Sequence, residues 1–78
     1  MPKFKYYNNP ATGMYAKVKE QNNLITQVFS YFASDPSLVL CFPNRQMVEN
    51  SSRDNWTKYF KDPKLKLISE VEYLINLL

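Results

Sequence analysis

The chain has 78 residues, of which 45% are hydrophobic, and this composition predicts one compact domain spanning residues 1–78. It contains no histidine, one cysteine and one glycine, which excludes an imidazole or thiolate zinc site, an internal disulfide and a glycine-rich phosphate loop. We therefore expect a non-enzymatic protein without a metal or cofactor. No apolar run is long enough for a membrane helix or a signal peptide, so we expect no membrane contact and a cytoplasmic location, in the host cytoplasm if the source is viral.

The net charge of +3 is unevenly distributed along the chain. Residues 1–34 carry four lysines against one glutamate, a balance of +3, whereas residues 35–78 carry six basic and six acidic side chains. The excess positive charge therefore lies in the first half, which favours an acidic partner there.

The N-terminal segment has the pattern of a β-hairpin. Residues 3–6 and 14–19 alternate between apolar and polar side chains, and residues 8–13 between them are rich in turn formers. We expect Phe4, Tyr6, Met14, Ala16 and Val18 to face the core. The opposite face would then present a row of basic and aromatic side chains: Lys3, Lys5, Tyr7, Tyr15, Lys17 and Lys19.

The middle of the chain predicts a helix followed by a strand. The apolar side chains of residues 23–34 are spaced as on one helix face, with Asn22 or Asn23 as N-cap, although a strand is the alternative. Residues 38–42 are five consecutive apolar residues between prolines, and we expect them to form a central strand covered on both faces. Cys41 in this run would be a small buried hydrophobe.

The C-terminal third predicts a helix, a short strand and a last helix. Ser51 or Ser52 would cap a helix over residues 53–61, which carries an aromatic stripe around Trp56. Residues 64–68 alternate like a strand, and Ser69 would cap a helix over 70–78. The apolar side of this last helix would consist of Val71, Leu74, Ile75 and Leu78. A single helix from residue 63 to the end is the alternative.

Together these elements predict an α+β fold, with a small antiparallel sheet of three to four strands and two to three helices packed on one face. The chain is apolar from residue 74 to residue 78 apart from one asparagine. Such an end is expected to pack against its own domain or against a second copy, so a homodimer is one expectation.

The lysines and tyrosines of the hairpin are the best candidate binding site. Clustered cations attract phosphates, and flat aromatic side chains stack on unpaired bases, so this face predicts a site for single-stranded RNA or DNA, with RNA favoured. If residues 64–68 join the same sheet, Lys64 and Lys66 extend the site. Alternatively, the lysines only solvate the sheet face and protect its edges from pairing.

A second function class is a stoichiometric protein inhibitor of the kind that phages and mobile elements encode. It would dock on an acidic host protein or a nucleoprotein complex through aromatic side chains, which dominate protein-binding hot spots, and through the same lysines. The additional contacts expected for such a partner are Arg45, Arg53, Lys58 and Lys61.

Overall fold

The computed structural model describes residues 3–43 and 49–77, with the side chains of residues 49–52 left out. One antiparallel sheet contains five strands, which are β1 (Lys3–Asn9), β2 (Met14–Gln21), β3 (Leu24–Phe32), β4 (Asp35–Phe42) and β5 (Lys66–Ile68). Their order across the sheet is β4-β3-β2-β1-β5. The described residues also contain two helices, α1 (Glu49–Tyr59) and α2 (Glu70–Leu74), and α2 is followed by a 3-10 turn at Ile75–Leu77. None of the described helices is long and apolar enough to cross a membrane.

The predicted α+β class is confirmed in outline, and three details of it were wrong. The sheet has five strands instead of three to four, and the helical part is smaller than predicted. The two helices also pack on opposite faces of the sheet instead of on one. Phe60, directly after α1, contacts Tyr7, whereas Tyr73 of α2 contacts Tyr6, and neighbouring residues of a strand point to opposite faces.

The predicted β1–β2 hairpin is confirmed, and a second hairpin follows it directly. In the first loop the backbone N–H of Gly13 donates to the carbonyl of Asn9 at 2.9 Å, and Gly13 has a φ of 73°. The second hairpin turns on Asn22 and Asn23, whose φ values are 55° and 64°. Two consecutive positive φ values are typical of a type I′ turn, which asparagine tolerates and which matches the twist of the strands.

The predicted helix over residues 23–34 was wrong, and the strand alternative is correct. Residues 24–32 form β3, which pairs with β2 on one side and β4 on the other. Both faces of β3 carry apolar side chains because both are covered: Ile25 and Val28 lie under α1, and Tyr31 lies under α2. A strand that is apolar on both faces produces neighbouring apolar pairs, and these imitated helical spacing.

The strand predicted at residues 38–42 is confirmed as part of β4, but its central position was wrong. β4 is an edge strand that pairs with β3 alone among the described strands. Leu38, Val39 and Leu40 are 52%, 54% and 43% exposed, and Phe42 is the buried residue of this run. Cys41 is half-buried and its Sγ lies 2.9 Å from the Oγ of Ser30.

The main core lies between α1 and one face of the sheet, which we call the α1 face. Seven buried residues form it: Tyr7, Ala16, Val18, Ile25, Val28, Phe42 and Phe60. Trp56 packs against this cluster, which confirms that a helix with aromatic side chains lies in this part of the chain. It begins at Glu49, however, so Ser51 and Ser52 lie inside the helix and the predicted cap there was wrong.

The C-terminal part follows the strand-plus-helix prediction, although β5 and α2 are both shorter than the predicted 64–68 and 70–78, and the single-helix alternative was wrong. The backbone N–H of Glu72 donates to the Oγ of Ser69 at 3.2 Å, which confirms Ser69 as the N-cap of α2. The residue that anchors α2 to the sheet is Tyr73, which is 2% exposed. The predicted apolar side of this helix is largely uncovered, with Val71 72% and Ile75 63% exposed.

Candidate nucleic-acid interface

The register of the first hairpin divides the predicted lysine–tyrosine face between the two sides of the sheet. Each β1–β2 pair joins an odd-numbered residue to an even-numbered one, as in Lys5 with Val18 and Tyr7 with Ala16. Paired residues point to the same face. The first group, which shares the α1 face with Ala16 and Val18, is Lys3, Lys5 and Tyr7. The second group, on the opposite face, is Tyr15, Lys17 and Lys19.

On the α1 face, Tyr7 packs in the core and Lys5 forms an ion pair, while Lys3 is exposed. Tyr7 is 9% exposed and its ring centroid lies 5.0 Å from that of Phe60, so it belongs to the core and cannot stack on a base. The Nζ of Lys5 lies 3.3 Å from the Oε2 of Glu20, which offsets its charge. Burial raises the pKa of Tyr7, which agrees with a neutral phenol in the core.

Four tyrosines form a cluster under α2 on the opposite face. Tyr15 stacks on Tyr31 with ring centroids 5.2 Å apart, and Tyr73 contacts both Tyr31 and Tyr6. The hydroxyl of Tyr6 donates to the Oε2 of Glu70 at 2.9 Å, and burial together with this bond raises its pKa. Tyr15, which was predicted to bind bases, therefore supports α2.

The rest of that opposite face carries lysines between aromatic side chains. Lys17 pairs with Phe29, and Lys19 pairs with Phe4 and with Gln27 across the neighbouring strands. We call this surface the lysine–phenylalanine face, and its members are Phe4, Lys17, Lys19, Gln27, Phe29 and Leu40. Phe29 pairs in turn with Leu40 of β4, so the surface spans four strands.

Lys17 and Lys19 give the lysine–phenylalanine face a positive charge, and the nearby carboxylate of Glu70 accepts a hydrogen bond from Tyr6, the cross-strand partner of Lys17. The Nζ of Lys17 lies 4.8 Å from the centroid of the Phe4 ring, a cation–π distance. Neither Lys17 nor Lys19 forms an ion pair with a carboxylate of the described part of the chain. Phe4 was predicted to face the core, but the structure leaves it 48% exposed.

The remaining candidates lie around these two faces. Lys66 pairs with Asn8 at the β5 end of the face that holds Lys17, while Lys64 lies before β5 and was wrongly included in the strand. Lys58 and Lys61 are exposed in or just after α1, and Arg53 is half-buried in that helix. Arg45 lies outside the described residues.

Sequence reasoning missed Phe4, Phe29 and Leu40 as surface residues. Phe29 was hidden by the helix prediction, and Leu40 by the expectation that residues 38–42 are buried. For Phe4 the alternation with Lys3 and Lys5 showed only that it lies on the face opposite to these two lysines. It did not show which of the two faces is buried. The described residues contain no group of three side chains suited to hold a metal ion.

The fold and this surface define a small α+β sheet protein with one helix on each face and a cationic, aromatic surface beside the second helix. When the chain is compared with known proteins, it matches no protein-family model, no curated protein and no solved structure.

Proposed function

We propose that this protein binds single-stranded nucleic acid, without catalysis, through the lysine–phenylalanine face. The observation that carries the proposal is the alternation of Phe4, Lys17, Lys19 and Phe29 on adjacent strands of one face. Single-stranded sites combine a positive surface for the backbone with flat side chains for the bases. This face supplies both and has no acidic member.

The two phenylalanines are placed to hold two different, non-adjacent bases of one strand, because they are two strands apart and offset by two residues along the sheet. Phe4 and Phe29 lie on β1 and β3, which are two strand spacings or roughly 10 Å apart. Lys17 and Lys19 lie on β2 between them, where their ammonium groups can reach phosphates while their methylene stems pack along the rings. Each stacked base would contribute about 1–3 kcal/mol.

Phe4 and Phe32 provide a matched pair of variants for the test. They are 48% and 46% exposed, and they lie on opposite faces because Phe32 pairs with Met14 of the α1 face. Binding is measured by fluorescence anisotropy with a labelled single-stranded RNA and a DNA of the same sequence. We expect Phe4→Ala to weaken binding about 5- to 150-fold, the equivalent of 1–3 kcal/mol, and Phe32→Ala to leave it unchanged.

The salt dependence tests the lysines separately. If Lys17 and Lys19 each contact a phosphate, alanine at either position should reduce the slope of log affinity against log salt by about 0.7. Lys58→Ala is the control, because Lys58 is exposed on α1 at the other side of the sheet. Equal effects of Phe4→Ala and Phe32→Ala, or no binding at low salt, would refute the proposal.

A protein partner is the second candidate, and exposed apolar side chains around α2 favour it. Val71 and Ile75 are 72% and 63% exposed and lie one helical turn apart, where they line a cleft that also contains Lys66 and Glu72. Side chains of this kind serve as apolar contacts in protein interfaces. An inhibitor that docks on an acidic protein would lose affinity on Val71→Ser and Ile75→Ser but keep it on Phe4→Ala, the reverse of the first proposal.

A further inference from the structure

A polar cleft lies on the α1 face, across the sheet from the lysine–phenylalanine face. Strand β1 contributes Lys5 and Tyr7 to its lining, and β2 contributes Glu20. Phe60 and Lys61, which follow α1 directly, also line it. Its volume is about 490 Å³, which lies within the range of roughly 300–1,000 Å³ typical of small-molecule sites. The cleft is therefore large enough to be a binding site of its own.

The side chains around the cleft carry a net positive charge. Lys3 lines a smaller depression that shares Lys5 and Glu20 with the cleft, so three lysines and one glutamate meet here, a balance of +2. The ion pair between Lys5 and Glu20, at 3.3 Å, occupies one of the lysines. Lys3 and Lys61 are exposed and form no ion pair within the described part of the chain. The unbalanced charge therefore attracts an anion.

The hydroxyl of Tyr7 is a hydrogen-bond donor without a partner at this cleft. Tyr7 is 9% exposed, and its hydroxyl forms no hydrogen bond with another described residue. It is not sealed off like the hydroxyl of Tyr73, so a ligand in the cleft can reach it. Burial raises the pKa of Tyr7, Lys5 lowers it and Glu20 raises it, so both charges act on the phenol. The hydroxyl remains protonated at neutral pH and can donate to an anion.

We propose that this cleft binds a phosphate group with two negative charges, held by the hydroxyl of Tyr7 and the ammonium group of Lys61. A phosphate monoester carries about −1.5 to −2 at neutral pH and offers three acceptor oxygens, which matches the +2 balance of the cleft. A carboxylate would supply only one negative charge, and a cation would be repelled. A single phosphate group is much smaller than the cleft, so space is left for the group esterified to it. The proposal does not depend on the lysine–phenylalanine face.

The ligand class is tested by titrating isotope-labelled protein and following its backbone amide signals by NMR. The probes are inorganic phosphate, a nucleoside monophosphate and the same nucleoside without phosphate. We expect the two phosphates to shift the amides of Lys5, Tyr7 and Lys61 at millimolar concentration, and the nucleoside to leave them unchanged. Both phosphates binding equally would identify the free ion as a sufficient ligand. Tighter binding of the monophosphate would show that the esterified group also contacts the cleft, and either result supports the proposal.

Two pairs of matched variants test the named contacts. Tyr7→Phe keeps the ring in the core and removes only the hydroxyl, so we expect it to weaken phosphate binding by about tenfold or more, whereas Tyr59→Phe should not change it. Lys61→Ala should also weaken binding, and Lys58→Ala should not, because Lys58 is exposed on α1 and does not line the cleft. Since Lys61 is exposed, its variant tests the proposal even if Tyr7→Phe fails to fold.

Three outcomes would overturn the proposal. Millimolar phosphate might shift no amide at the cleft, or the nucleoside alone would shift the same amides. The unmodified protein, Tyr7→Phe and Lys61→Ala would bind phosphate with equal affinity. Shifts confined to Lys17 and Lys19 would assign phosphate to the lysine–phenylalanine face, which overturns this proposal and leaves the proposed function standing.

Discussion

Two buried tyrosines should respond in opposite directions when each loses its hydroxyl. Tyr31 and Tyr73 are both 2% exposed, and their rings are in contact with centroids 5.3 Å apart. The hydroxyl of Tyr31 donates to the backbone carbonyl of Tyr73, near the end of α2. The hydroxyl of Tyr73 is buried and has no hydrogen-bond partner among the described residues. Phenylalanine at either position keeps the ring and removes only the oxygen.

The expected magnitudes follow from these two environments. A buried polar group without a partner carries a desolvation cost of about 1–3 kcal/mol, so Tyr73→Phe should raise the free energy of unfolding by about 1 kcal/mol. Tyr31→Phe removes a hydrogen bond and leaves a buried carbonyl without its donor, which should lower the free energy of unfolding by about 1–2 kcal/mol. For a domain of this size, 1 kcal/mol corresponds to a change in Tm of about 4–8 °C.

Thermal and urea unfolding, followed by circular dichroism, measure both effects. Tyr59→Phe serves as the control, because Tyr59 is 39% exposed and its hydroxyl lies 3.9 Å from the sulfur of Met14, so the change should stay within about 0.5 kcal/mol. If Tyr73→Phe destabilised the protein as much as Tyr31→Phe does, the hydroxyl of Tyr73 would have a partner and the reasoning would fail.

Three further predictions concern pH, a turn and a helix cap. Burial raises the pKa of Tyr73 to about 12, so the folded state retains this proton where the unfolded state, with an ordinary pKa of about 10, has lost it. The stability that this raised pKa contributes should be complete below pH 10 and should decline between pH 10 and pH 12. Tyrosinate absorbance measures the ionisation, and circular dichroism measures the unfolding. Asn23→Ala should cost about 1 kcal/mol in urea unfolding because alanine tolerates a φ of 64° poorly, whereas Asn23→Gly should not destabilise. Ser69→Ala should cost about 1 kcal/mol in the same assay by removing the N-cap of α2, and no loss would show that the cap does not contribute.

The sequence predicted those elements whose signals are local. The first hairpin was found because turn-forming residues lie between two alternating runs, and α2 was found because Ser69 precedes two acidic residues. These signals depend on contacts a few residues apart in the chain. β3 was predicted as a helix, with a strand only as the alternative, for the opposite reason. Its helical appearance arises because both faces of an inner strand are covered, and the elements that cover them come from distant parts of the chain.

The order of the strands could not be predicted from the sequence either, and it changes the interpretation of the apolar residues 38–42. Five apolar residues predicted a buried central strand, but the sheet places them at its edge with Leu38, Val39 and Leu40 exposed. Fold topology is set by interactions between distant segments, which periodicity along one strand does not report. The apolar residues 38–40, whose composition predicted burial, are therefore exposed.

The candidate site shows how one property of the register changes a functional hypothesis. Lysines interleaved with aromatic side chains were expected on one face, and such a face is present, but its aromatic members are Phe4 and Phe29 instead of Tyr7 and Tyr15. Shifting a strand by one residue moves every side chain to the other face. The alternation within each strand is compatible with either register of β1 against β2. The geometry of loop 10–13 decides between these two registers, and the alternation does not reveal it.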